Sequence, residues 1–180
     1  MEDLLIDTVI IETELGIMIA GAVDEGICLL EFSDRRMLNT EYKDLAKHFK
    51  TTIQEGENKH FNPLREQLKE YFEGSRKEFS VPLVFPGSIF QQAVWKELMN
   101  IPYGTTRSYQ EQSVALGKPG SIRAVANANG MNRISIIIPC HRVIGSDGSL
   151  TGYGGGLNRK RWLIDHERKH SGNTFDLSLF

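Results

Sequence analysis

The stretch I-S-I-I-I-P-C-H-R-V-I, Ile134 to Ile144, carries a cysteine and a histidine side by side behind a run of isoleucines. The run is rich in β-branched residues and too short for a helix, which predicts a buried strand. Pro139 has no N–H to give to a ladder, so strand pairing stops there. Cys140 then lies where a rigid element ends, a place that can hold a nucleophile still. The same letters also fit a buried structural cysteine beside a surface histidine, because free Cys packs well as a small apolar residue. From this stretch alone both readings stand.

The rest of the chain narrows the class. Its 180 residues fit one domain or two small ones, and 40% hydrophobic with 24% charged content is ordinary for a soluble globular protein. No apolar run reaches membrane-spanning length, and the acidic start Met1-Glu2-Asp3 is unlike a secretory signal. Together these lead to a cytoplasmic expectation, or a nuclear one in a eukaryote, with no membrane partner. Cys28 and Cys140 are the two cysteines, with no CxxC pair and no metal-ligand spacing, so neither a zinc site nor any other metal or cofactor is expected. A nucleophilic Cys140 would also have to stay out of a disulfide, which favours a reducing compartment. Net charge is only −2, but it is unevenly spread. Residues 88–180 hold eleven Lys and Arg against six Asp and Glu, about +5, and the first 87 residues are about −7. That asymmetry points to a polyanion partner for the C-terminal half.

Residues 4–32 hold three apolar runs separated at Glu14-Leu15-Gly16 and Asp24-Glu25-Gly26, the pattern of an antiparallel meander. Cys28 falls in the third run as core packing. A helix is expected over 39–49 with Thr40 as cap and Leu45, Ala46 and Phe49 inward. Thr51 to Lys59 reads as loop or weak strand. Asn62 is placed as cap of a second helix, with Pro63 in its first turn and Leu64, Leu68, Tyr71 and Phe72 inward, ended by Gly74. Phe79 to Leu83 reads as a last strand and Val84 to Gly87 as a linker. The expected division is 1–87 and 88–180.

Ser88 is a helix cap for Phe90, Val94, Trp95 and Leu98, stopped by Asn100 and Pro102. A second helix spans about Ser108 to Leu116, a Gly117-Lys118-Pro119-Gly120 turn follows, and a third covers Ser121 to Asn129. Helix, tight glycine turn and a small-residue helix carrying Arg123 fit a helix-turn-helix or an ordinary helical hairpin. Ala124, Ala126 and Ala128 would give the third helix a small face for close approach to a groove. Gly145 to Gly148 is a turn. The glycines of Thr151 to Leu157 either bring backbone close to a ligand or form a surface loop. A last helix is expected from about Asn158 to Lys169, with a loosely held tail beyond Ser171.

Pro139-Cys140-His141-Arg142-Val143-Ile144 resembles the active-site signature of the O6-alkylguanine-DNA alkyltransferases, the methylated-DNA–protein-cysteine methyltransferases. The resemblance runs through Asp24 to Phe32, Phe90 to Trp95, Pro102-Tyr103-Gly104, Ser108-Tyr109, Arg123-Ala124-Val125, Asn132, Tyr153 to Leu157 and His166-Glu167. It implies an α/β (α+β) fold: an N-terminal RNase H-like antiparallel sheet with helices, then a C-terminal helical domain with a winged helix-turn-helix. The implied activity is single-turnover DNA repair, in which Cys140 takes the alkyl group of O6-methylguanine, and less well of O4-methylthymine, after minor-groove binding and base flipping.

The resemblance also implies roles. A thiol with a pKa near 8.5 is mostly protonated at neutral pH and needs a base. His141 matches that base, acting through a water, with Glu167 orienting it and Asn132 holding the turn near the thiol. Tyr109 matches the residue that crowds the 3′ phosphate and protonates guanine N3. Arg123 matches the finger that fills the vacated stack, and Ser121, Ala124, Ala126 and Asn127 share its DNA-binding helix. Val143, Tyr153, Gly154 and Gly155 line the base pocket, with the carbonyls of Cys140 and Val143 accepting from the exocyclic amine. The implied partner is double-stranded DNA containing O6-alkylguanine, bound by a monomer, with cooperative binding on DNA left open.

Three positions depart from the family pattern. Arg133 and Ser135 stand where relatives usually carry proline, which would loosen the approach to the isoleucine run. Gly154 stands where many members have Ser, which implies a roomier pocket. Three rival readings remain. A non-enzymatic lesion-binding relative is opposed by Cys140 itself. A transcription factor would need a regulatory segment, and a cysteine hydrolase would turn over repeatedly.

Overall fold

The computed structural model describes residues 5–172. The acidic start Met1-Glu2-Asp3 and the tail from residue 173 lie outside them. Strands β1 (Leu5–Thr13), β2 (Gly16–Val23) and β3 (Gly26–Phe32) form the expected meander, with Asp7 opposite Ala22 and Met18 opposite Phe32. Helix α1 (Leu38–Phe49) follows, and then β4 (Thr52–Glu55), which joins the free edge of β1 in parallel. The sheet order is β3-β2-β1-β4, so the sheet is mixed, with antiparallel pairing over three of its strands. Helix α2 (Phe61–Phe72) packs Leu64, Leu68 and Tyr71 against it. Every residue of β3 is buried, because the sheet and α1 cover one face and the C-terminal half covers the other.

The C-terminal half is helical. Its elements are α3 (Ile89–Leu98), β5 (Arg107–Ser108), α4 (Tyr109–Ala115), α5 (Ile122–Gly130), β6 (Val143–Ile144) and α6 (Leu157–His170). Ser88 and Ser108 both close full capping boxes, with Gln91 and Glu111. Helices α4 and α5 form the helix-turn-helix. A buried amide pair links them: Gln112 Nε2 donates to Asn129 Oδ1 (2.9 Å) and Asn129 Nδ2 to Gln112 Oε1 (2.6 Å). Trp95 of α3 supports α5 from behind by donating its indole N–H to the Ala128 carbonyl (2.8 Å). Among the described residues, strand pairing within this half is the two-residue parallel pair β5–β6. No helix of the described residues is long and apolar enough to cross a membrane.

Several expectations fail here. The isoleucine run is buried but is not a strand. Only Ile134 bridges Leu30, and Ile136 sits at φ +73°, a genuine outlier for a β-branched residue. Its backbone groups are spent on turns instead, with Ile137 N–H donating to the Ser135 carbonyl and Ile138 N–H to that of Ile134. Phe79 to Leu83 makes a single bridge at Leu83 rather than a strand, since Pro82 cannot donate to a ladder. Thr40 and Asn62 lie inside their helices, whose caps are Met37 and His60. Ala128 faces the core, because residues two apart on a helix point nearly opposite ways.

Candidate active site

Pro139 ends the turns, and Cys140-His141-Arg142 form one 3₁₀ turn closed by Val143 N–H donating to the Cys140 carbonyl. That turn lets the neighbouring Cys and His serve one centre. Asn132 fixes the approach. Its Nδ2 donates to the Ile138 carbonyl (2.8 Å) and to Cys140 Sγ (3.2 Å), and its Oδ1 accepts from Ile134 N–H (2.9 Å). Cys140 is 9% exposed, and burial pushes its thiol pKa up, against the lowering influence of the Asn132 hydrogen bond. The resting group is therefore a neutral thiol, and ionising it takes a base.

The base is adjacent. His141 is wholly buried, and its Nε2 lies 2.6 Å from Glu167 Oε1 on α6. Burial pushes the imidazole pKa down, and the Glu167 carboxylate pulls it back only in part. A neutral ring that donates from Nε2 leaves Nδ1 as the acceptor, and Nδ1 is buried with no protein partner. Glu167 itself collects donors. Tyr71 hydroxyl (2.7 Å), Arg142 Nε (2.8 Å) and Nη2 (3.0 Å), and Gly104 N–H (3.3 Å) all reach its two oxygens. Burial alone would raise that carboxyl, but the attraction of His141 and Arg142 overrides it and holds Glu167 far below the usual carboxylate range. Arg142 is held in turn by the Ile101 carbonyl (2.6 Å).

Tyr109 donates its hydroxyl to the Thr151 carbonyl (2.9 Å). The same carbonyl accepts from Lys160 Nζ (2.9 Å), which also lies 3.5 Å from the Tyr109 oxygen. Lys160 is fully buried, and desolvation brings its pKa down to about 8. Burial raises the Tyr109 pKa, so its phenol keeps its proton at neutral pH. These groups sit beside a groove of about 560 Å³ whose walls include Tyr109, Arg123, Ala126, Tyr153 and Gly154.

The other expected residues divide. Arg123 and Ala126 line the groove, whereas Ala124 and Asn127 are exposed elsewhere on α5. Ser121 precedes α5 without a capping bond. Val143 is fully buried, so it has only backbone to offer a ligand. Gly155 packs on Phe32, where a Cβ would come within 2.8 Å of the ring. Among the described residues no cluster of His, Cys, Asp and Glu could hold a metal ion.

All three departures from the family pattern act differently from expectation. Arg133 donates to Asp44 Oδ2 (3.0 Å) and the Glu41 carbonyl (3.2 Å), and Ser135 Oγ donates to Glu31 Oε1 (2.7 Å). The loop is thus tied to β3 and α1 rather than loosened. Gly154 does not enlarge the pocket either, because a Cβ there would meet Arg35 Nη1 at 2.4 Å. Arg35 fills that space while paired with Glu31 and Glu41.

Arg142, Lys160, Tyr71 and Arg35 were given no role at the site by the sequence. Helical spacing could have flagged Lys160, which shares a buried face of α6 with Leu163, Ile164 and Glu167. A lysine at such a position has to be explained by a partner.

The chain is similar to known proteins in both sequence and fold. Residues 8–85 match the family described as 6-O-methylguanine DNA methyltransferase, ribonuclease-like domain, and residues 89–169 match its DNA binding domain. The chain is 50% identical over 145 residues to a methylated-DNA–protein-cysteine methyltransferase of Mycobacterium tuberculosis, covering 81% of this chain and 84% of that one. A crystal structure of the Mycobacterium tuberculosis O6-methylguanine methyltransferase superposes with a TM-score of 0.79 at 40% identity, over 97% of this chain and 99% of the other. A crystal structure of Mycobacterium tuberculosis OGT in complex with DNA superposes with a TM-score of 0.78 at 40% identity, over 91% and 94%.

Proposed function

The chain belongs to the methylated-DNA–protein-cysteine methyltransferases, and within that family we propose that Cys140 is the residue that takes the alkyl group. The substrate is O6-methylguanine in duplex DNA, with O4-methylthymine a poorer one, and the lesion is flipped out of the stack to reach the thiol. The observation that carries this reading is the order Asn132–Cys140–His141–Glu167, all buried, with His141 Nδ1 the unengaged acceptor beside the thiol turn.

The reaction is a displacement. The Cys140 proton passes through a water to His141 Nδ1, and the imidazolium formed is stabilised by Glu167. Sγ attacks the alkyl carbon, the S–C bond forms, and the C–O6 bond breaks with its electrons going to guanine. Tyr109 offers its proton to guanine N3, giving up its bond to Thr151, and the charge on Lys160 beside that oxygen eases the transfer. Solvent then takes the proton from His141 and returns one to the Tyr109 phenolate, so that over the whole reaction guanine gains one proton and the thiol loses one. The Gly154 N–H donates to O6, Tyr153 forms a wall of the pocket, and the carbonyls of Cys140 and Val143 receive the exocyclic amine. Arg123, exposed on α5, fills the gap in the stack from the minor groove, reading shape more than sequence. No group beside the thioether can cleave it, so each molecule acts once, as a monomer.

Incubation with a duplex carrying labelled O6-methylguanine tests this. One equivalent of label on Cys140 by peptide mapping is expected, and Cys140→Ala should abolish transfer while keeping DNA binding. Repeated turnover, or label on another residue, would overturn it.

A further inference from the structure

The groove beside Tyr109 has a wall that the C-terminal half does not supply. Arg35, Arg36 and Met37, from the turn between β3 and α1, line it together with Arg123 and Ala126. That turn is held from two sides. Asp34 takes a bidentate pair from Arg159 of α6 (2.7 and 3.0 Å), and the Arg159 guanidinium also lies 4.0 Å from the centre of the Phe32 ring. Arg35 donates Nη2 to the Gly130 carbonyl at the end of α5 (2.8 Å) and Nη1 to the Asn132 carbonyl (3.3 Å), and it pairs with Glu31 and Glu41. The turn is therefore locked to the helix that carries Arg123.

The two residues after this lock are treated differently. Arg36 is exposed and finds no carboxylate among the described residues, while Met37 keeps 46% of its surface. Arg35, Arg133, Arg142 and Arg159 all have acidic partners. Arg36 and Arg123 thus both line one groove as cations without an acidic partner among the described residues. A surface turn pinned this firmly presents its free cation without a backbone-ordering cost at binding.

We propose that Arg36 and Met37 form a second DNA-contacting element, supplied by the acidic N-terminal half. Arg36 takes a phosphate of the lesion-bearing strand, and Met37 packs on the sugar beside it. Charge complementarity and continuity with the α5 face commit the groove to DNA rather than to a protein partner. The proposal rests on the reading of Cys140 as the alkyl acceptor from duplex DNA.

The test uses the full chain with Arg36→Ala, Arg36→Lys and Met37→Ala. Each is assayed for affinity to an O6-methylguanine duplex across a salt series and for reaction with free O6-benzylguanine. Losing one phosphate contact lowers the slope of log K against log salt by about 0.9, which is roughly an eightfold loss of affinity at 0.1 M salt. Arg36→Ala should show both changes, and Arg36→Lys should restore the slope. Met37→Ala should weaken binding with the slope kept, and all three should react with the free base at the unsubstituted rate. Unchanged affinity and slope in Arg36→Ala would overturn the proposal, as would loss of free-base reaction in step with binding. If the unsubstituted protein fails to take label from the duplex onto Cys140, it is the underlying reading that fails.

Discussion

The loop from Asn132 to Arg142 and the helix pair α4–α5 lie next to each other and are built in opposite ways. The helix pair is stabilised from within. Ser108 and Glu111 close a capping box three residues apart, and the Gln112–Asn129 pair spans only 17 residues. The loop has almost no regular structure and is held from afar. Ser135 reaches Glu31 across 104 residues, Arg133 reaches Asp44 across 89, and Arg142 reaches the Ile101 carbonyl across 41. The part proposed to read DNA is locally encoded, while the part proposed to do chemistry exists only in the folded whole. This fits the chemistry, because an outlier such as Ile136 persists only where its surroundings over-determine it.

Arg142→Ala should have the largest effect, since it leaves the buried Glu167 carboxylate without its bidentate partner. A loss of about 3–5 kcal/mol in chemical denaturation is expected, with alkyl transfer lost. A loss below about 1 kcal/mol would mean that the remaining donors suffice. Ser135→Ala comes next, at about 1–3 kcal/mol, because Glu31 is fully buried and would lose an acceptor's partner. Reaction with a free base should slow with it, while duplex binding by α5 stays. If binding falls and free-base reaction does not, the division between loop and helices is wrong.

Methylation of Cys140 should act on the loop in the same sense. It adds volume at a buried site and crowds the Asn132 N–H that donates to the sulfur, for about 1–3 kcal/mol. Calorimetry that finds the alkylated form melting at or above the unreacted one would contradict this. Ser108→Ala, on the helix pair, should cost about 1 kcal/mol, the ordinary effect of a lost cap. It should leave free-base reaction unchanged, and a change there would tie the two regions together.

The smallest expected effect is none. An ordinary histidine with a pKa of 6.5 would be half protonated at that pH and would halve the rate. Burial lowers the His141 value, so the neutral base persists on the acid side of 6.5. The free-base rate at pH 6.5 should therefore match that at pH 7.5, and a halving would mean that His141 titrates as an unburied imidazole does. A tenfold fall over that unit would instead indicate a pre-formed thiolate titrating without His141.

Much of the fold was legible because its signals are local. The meander turns, the Ser88 cap and the helix–turn–helix arrangement of α4 and α5 all follow from residues a few positions apart. The isoleucine run misled because β-branched composition reports burial as readily as pairing, and here the backbone bonds to itself in turns. Arg133 and Ser135 misled for a related reason. Replacing proline does free the backbone, but both side chains found acidic partners in the other half. The same crossing alters the charge reading. Arg133 and Arg159 are neutralised by Asp44 and Asp34, so part of the positive surplus of the C-terminal half binds the protein to itself.

The sequence by itself determined the order of most elements, the start of α3 at Ser88 and the residue types that nucleophilic transfer requires. Tertiary structure decided the protonation states and the reach of those residues. Burial sets a neutral thiol beside a neutral imidazole, and His141 and Arg142 keep Glu167 charged. Desolvation and long-range hydrogen bonds depend on which distant segments meet, and no local pattern in the chain specifies that.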